Sequence, residues 1–205
     1  MSLSNQTFEL FDNESKPHSR SYGFWTTRWW VWALSTPKKI NPVVDEDGKN
    51  WNINQPSSNV WFLAGRFGRA DKKYPHRKVS VPNGRSLLFP VLNCEANSLE
   101  YPDLTTNDDL INHVIHDVNT VVKKDCYING VKIEPTRIAS DPALFPVNIS
   151  DDNFFGIKGG KTTAAADGYW VFLKSLPKGT YSICFEGSCE FGILNAGADY
   201  DLKII

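Results

Sequence analysis

Apolar positions follow two different periods along this chain. Over 106–124, Leu110, Ile111, Val114, Ile115, Val118, Val121 and Val122 recur at spacings of three and four, the repeat of one helical face. Thr106 stands at the N-cap with Asp109 in the capping-box position, and Lys123 and Lys124 suit the negative C-terminal end. The pattern predicts one inserted α-helix near 107–123. Elsewhere the apolar residues come in short β-branched and aromatic blocks, at 59–67, 78–81, 85–92, 126–133, 144–149, 168–175, 180–185, 189–194 and 199–204. Glycine, proline and turn dipeptides separate many of them, and Asn129-Gly130 is the strongest hairpin signal. The block 24–34 reads as a short helix or a strand. Trp25, Trp29 and Trp32 share a face at helical spacing, and Pro37 forces an end. Many short strands with one helix predict a mainly β protein, a two-sheet β-sandwich of jelly-roll-like type. Residues 1–22 read as an arm or tether, and 23–205 as a single sandwich domain.

Composition agrees with that architecture. The 205 residues suit one large domain, and 41% apolar content supplies a core. Seven Trp are present, a residue that buries a large area but wants a partner for its N–H. The formal net charge of −1 offers no basic face, so nucleic acid is not an expected partner. No apolar run approaches the roughly 18–20 residues that span a bilayer. The first 15 residues are polar and mixed, without the pattern of an export signal.

Four cysteines, Cys94, Cys126, Cys184 and Cys189, allow three pairings. If Glu186-Gly187 is a two-residue hairpin turn, Cys184 faces Cys189 in a non-hydrogen-bonded pair, at a Cα separation of about 4.5–5.5 Å that a disulfide tolerates. Cys94 and Cys126 are then the remaining pair. The alternative is free thiols near a turn. No cysteine or histidine spacing resembles a zinc site, and no metal or cofactor is expected on spacing alone.

An ordered string of motifs runs along the chain: Trp29-Trp30-x-Trp32, Asn41-Pro42-x-x-Asp45, Val60-Trp61-Phe62-Leu63-Ala64-Gly65, Phe89-Pro90-Val91-Leu92-Asn93 and Asp167-Gly168-Tyr169-Trp170. From about residue 25 to the C-terminus the sequence resembles a family of bacterial signal-peptide-bearing proteins with no established activity. The resemblance implies export to the periplasm or the exterior, with the signal peptide absent from this chain. It carries over no catalytic residues. The family pattern has cysteines near the positions of Trp51 and Val79, and this chain has none there, so a bridge at that place is excluded.

The most suggestive polar cluster follows the apolar strand at 86–92: Asn93, Glu95, Glu100 and Asp103. A buried strand that ends in polar residues delivers them to the rim of a core, where pockets form. Arg77, across the Pro82-Asn83-Gly84 turn, can meet a carboxylate there, and Asp167 can join from another strand. These oxygens suit a ligand, an acid–base pair or Ca²⁺. The competing reading is a loop whose acids cap backbone N–H groups and pair with Arg77. Trp29 and Trp32 are candidates for an aromatic platform under a glycan, against the plainer reading that they are core. Asp109, His113 and Asp117 share a helical face, which a solvated polar surface explains more simply than a metal. Gly159-Gly160-Lys161-Thr162-Thr163 lacks the spacing of a phosphate loop, and no GxSxG elbow occurs.

The leading expectation is a non-catalytic exported binding domain for a small molecule, a glycan or a surface partner. Its rivals are a carboxylate-dependent hydrolase, which needs Glu95 to meet Glu100, Asp103 or Asp167 beside Arg77, and a structural envelope-associated protein. Whether the chain is an enzyme stays open at this level.

Overall fold

Ser21 opens the first helix by accepting a hydrogen bond from the Phe24 N–H at 3.1 Å. The helix, α1 (Tyr22–Ser35), ends at Thr36 just before Pro37. Its shared tryptophan face is interior: the indole N–H groups of Trp25, Trp29 and Trp32 donate to the carbonyls of Pro17, Leu63 and Ile53 at 2.8, 2.8 and 2.9 Å. The structure, a computed structural model, describes residues 7–68, 73–190 and 194–205.

After α1 come β1 (Val60–Phe62), β2 (Arg66–Phe67), β3 (His76–Val81) and β4 (Ser86–Asn97). The second helix, α2 (Asn107–Asn119), precedes β5 (Val121–Ile128), β6 (Val131–Lys132) and β7 (Thr136–Arg137). The chain finishes with β8 (Leu144–Ile149), β9 (Gly160–Leu173), β10 (Gly179–Cys189) and β11 (Asn195–Ile204). One sheet has the order β1-β4-β9-β7, with β8 also on β9. The other has the order β2-β11-β10-β5-β6, with β3 on β11. The fold is therefore mainly β, a two-sheet sandwich with helices, as the apolar blocks predict. Two pairings, β1 with β4 and β3 with β11, are parallel.

The inter-sheet core joins Leu87, Phe89, Val91 and Val171 to Ile128, Ile183, Phe185 and Leu202. Phe89 and Phe185 stack with ring centres 5.0 Å apart. α1 covers the outer face of the first sheet, packing Trp25, Trp29 and Trp30 over Leu88, Trp170 and Phe172. α2 lays Leu110 and Val114 on Ala96 and Ala165. The segment before α1 is tied to the first sheet: the Phe11 N–H donates to Phe172 O at 2.9 Å, and the Lys174 N–H donates to Glu9 O at 2.9 Å.

Within β4, Pro90 pairs with Trp170 and Leu92 with Tyr169, so Val91 is an extra residue. Val91 and Leu92 both face the second sheet. Asn93, Glu95 and Asn97 consequently lie on the α1 side, opposite Gly168, Ala166 and Ala164 of β9. Those small side chains leave room above them.

Two expectations are corrected. The second helix stops at Asn119 and does not run to 123. Val121, Lys123 and Lys124 belong to β5, paired with Cys189, Ser188 and Gly187 of β10. β-Branched valines serve a strand better than a helix end, and the ladder to β10 rewards that choice.

The second correction concerns Glu186-Gly187, which is not a turn. β10 continues through it, and a β-carbon on Gly187 would stand 2.6 Å from Leu92 Cβ. The glycine is there for close approach of the two sheets, not for a turn. Cys184 and Cys189 thus lie five residues apart on one strand, roughly 17 Å at strand rise, and cannot bridge. All four cysteines, Cys94 and Cys126 included, are free thiols. The expected strand at 189–194 falls partly on 191–193, outside the described residues.

Candidate functional site

β1 pairs with β4 only through Ser86–Leu88, so farther along one edge of β4 carries no strand among the described residues. A cleft of about 80 Å³ lies along that bare edge. Its walls are aromatic: Trp29 and Trp30 from α1, Phe67 from β2, and Phe154 and Phe155 from the loop before β9. Trp29 and Trp30 meet edge to face with ring centres 5.1 Å apart, and Phe154 and Phe155 are tilted against each other at 4.6 Å. Its polar end holds Asn93, Cys94, Glu95, Glu100, Tyr101 and Asp117.

Asn97 organises that end and was not foreseen. It is fully buried. Its Nδ2 donates to both oxygens of Glu95, at 3.1 and 3.3 Å. Its Oδ1 accepts the backbone N–H groups of Leu99 and Glu100, at 3.0 and 3.1 Å. One side chain therefore holds Glu95 and folds the turn that returns Glu100 to it.

Glu95 is 6% exposed and hydrogen-bonded to the Glu100 carboxyl. Burial pushes the Glu95 carboxyl well above its ordinary range. The neighbouring Glu100 charge and the carboxyl–carboxyl bond add to that push, while Asn97 opposes it. Burial also raises Glu100, against hydrogen bonds from Glu95 and Tyr101. Glu100 Oε2 is buried and receives no conventional donor. The two acids form a dyad that shares a proton. Tyr101 extends it, and its ring lies 4.5 Å from that of His113, which in turn faces Asp117 at 3.6 Å.

Among the described residues six buried side-chain N or O atoms have no hydrogen-bond partner. Three of them, Trp30 Nε1, Asn93 Nδ2 and Glu100 Oε2, belong to residues of this one cleft. Such concentration marks a place where polar groups are prepared for something other than the protein's own chain.

The remaining sequence candidates fall elsewhere. Arg77 does not meet a carboxylate. It is buried and outside the cleft lining, donating to the carbonyls of Asp45 (2.7 Å), Val43 (3.1 Å) and Ala64 and to the Tyr200 hydroxyl (2.9 Å). Asp103 is exposed and apart from the dyad. Asp167 faces Cys94 across the β4–β9 ladder, on the sheet face opposite Glu95. There it pairs with Arg137 at 2.7 and 2.9 Å. Trp32 packs on Phe62, with ring centres 5.5 Å apart, and lines a separate hollow. Asn93, Glu95, Glu100 and Trp29 are therefore the candidates that the fold brings together. Sequence reasoning missed the far wall, which the adjacent aromatic pair Phe154-Phe155 could have signalled.

Among the described residues no group of three or more His, Cys, Asp and Glu side chains could hold a metal ion. No helix among them is long and apolar enough to cross a membrane. No family model, no curated protein and no solved structure matches this chain.

Proposed function

We propose that this protein is a binding domain for a small molecule, held in the cleft between the Trp29–Trp30 wall and the Glu95–Glu100 dyad. One observation carries the reading: the donors Trp30 Nε1 and Asn93 Nδ2 stand without partners beside a carboxyl pair at the polar end of an aromatic cleft. An unmet buried donor costs about 1–3 kcal/mol, which an acceptor on a ligand would recover. A buried water occupies about 10–15 Å³ on the measure by which the cleft holds 80 Å³. The space therefore suits a ligand of one ring or a short branched skeleton, with an apolar face and a polar head. An exported setting, which the motif resemblance implies, belongs to the same proposal.

Tryptophan fluorescence and thermal unfolding, followed against small sugars, alcohols, acids and amines, test it. At least one class is expected to quench fluorescence and raise the unfolding temperature, and Trp30→Phe is expected to weaken both responses. No response to any class would overturn the proposal.

A second reading, a carboxylate-dependent hydrolase, is favoured by the dyad itself, since two acids sharing a proton can divide acid and base roles. Glycoside hydrolysis does not fit it. Hydrogen-bonded carboxyl oxygens lie about 2.5–3.0 Å apart, whereas glycosidase carboxyl groups stand about 5–9.5 Å apart. Turnover of activated esters or peptides that Glu95→Gln abolishes would support this reading, and its absence would leave the binding domain.

A further inference from the structure

Resting on that small-molecule reading, we propose that the ligand is a small organic cation carrying one acceptor oxygen, its ammonium group at the Glu95–Glu100 dyad and its oxygen at Trp30 Nε1. The charge balance of the cleft is the first argument. Glu95, Glu100 and Asp117 line it, and no Lys, Arg or His among the described residues does. Nothing in the described lining supplies a positive charge to the dyad. Inside the protein its negative charge is met by a shared proton and by the neutral amide of Asn97.

The walls are the second argument. Trp29, Trp30, Phe67, Phe154 and Phe155 present aromatic surface, and ring faces attract alkylammonium groups. Such a wall is poorly suited to a hard metal ion, which demands about six to eight oxygen ligands where Ca²⁺ is concerned. An ammonium group needs far fewer. A primary ammonium can donate to one carboxylate, and a quaternary one, which has no N–H, can pair with it by charge and rest its methyl surface on the rings.

The third argument is independent of the acids. Trp30 is 4% exposed, lines the cleft, and its N–H has no acceptor. A pure hydrocarbon cation would leave that donor unmet, so the ligand carries a hydroxyl, ether or carbonyl oxygen. The size of the cleft sets the scale at an amino alcohol rather than a peptide or an oligosaccharide.

The experiment is isothermal titration of the whole chain with ethanolamine and choline, each beside a neutral counterpart: ethylene glycol for the first, 3,3-dimethylbutan-1-ol for the second. Neutral monosaccharides are titrated in parallel. At least one ammonium compound is expected to bind at least tenfold more tightly than its neutral counterpart. Glu100→Gln should erase that preference, Trp30→Phe should weaken the amino alcohol, and Asp103→Asn, which alters an exposed acid outside the cleft, should change neither. Should Glu100→Gln unfold the chain, Phe154→Leu is the second variant, expected to reduce cation affinity several-fold. Equal binding of cation and counterpart overturns the cation while leaving the small-molecule reading standing. The same holds if monosaccharides alone bind. If no ammonium compound binds, the cation proposal falls whatever the neutral compounds do, and the small-molecule reading falls with it only if neutral compounds and acids fail to bind as well.

Discussion

Gly168 on β9 stands so close to Asn93 on β4 that a β-carbon added to it would lie 2.5 Å from Asn93 Cβ and 2.8 Å from Leu92 O. The contact sits just past the irregularity in β4, at the start of its polar half. Gly168→Ala must push the two strands apart where Asn93 enters the cleft. Overpacking of this kind costs about 1–3 kcal/mol. Urea unfolding should show that loss, and a variant as stable as the parent would mean that the strands are less tightly apposed than described.

Glu95 makes stability depend on pH in a definite sense. In the unfolded chain its carboxyl ionises near the ordinary value of 4.5, whereas in the folded protein burial and Glu100 hold the proton on to higher pH. The folded state therefore binds more protons above about pH 4.5, and stability falls as pH rises, until the buried group ionises. Glu95→Gln cannot titrate there. Urea midpoints between pH 4 and 8 should diverge in favour of the variant as pH increases. Parallel curves would show that Glu95 is not held protonated.

Arg77 predicts a large loss of stability on substitution. Its guanidinium satisfies three backbone carbonyls and a tyrosine hydroxyl, and its side chain is 1% exposed. Arg77→Met removes the side-chain donor to the Asp45 and Val43 carbonyls, at about 1–3 kcal/mol each, while Ala64 O keeps the Tyr200 hydroxyl at 2.7 Å. A destabilisation of about 3 kcal/mol or more is expected in chemical unfolding.

The thiols can be counted. Four free cysteines predict four thiol equivalents per chain when the protein is unfolded without reductant, and no mass change on reduction. In the folded protein only Cys184 is exposed, and partial desolvation of its sulfur together with the Asp199 side chain raises its thiol to about 12, so its reaction with disulfide reagents should be slow at neutral pH. Two equivalents in place of four would mean that a bridge forms.

Local chemistry was the legible part of this chain. Thr106 and Asp109 announced the start of α2, and the capping box is present. Asn129-Gly130 announced its hairpin, with both residues at positive φ. The block 144–149 coincides with β8. Gly187 and Arg77 were misread because their reasons are distant in sequence: one is small to admit Leu92, the other is solvated by carbonyls from two loops. Half of the cleft was visible in the same way. Asn93, Glu95 and Glu100 lie within eight residues, but the bare edge of β4 and the Phe154–Phe155 wall exist only once the strands are ordered.

The supernumerary residue at Val91 makes the cleft vulnerable to changes of chain length more than to changes of side chain. Removing one backbone unit there would exchange the two faces of everything downstream in the strand. Carboxylates would then be driven toward an oily interior and Cys94 and Ala96 toward the tryptophans. Point substitutions along 92–97 adjust this pocket, whereas a single in-frame codon loss would invert it.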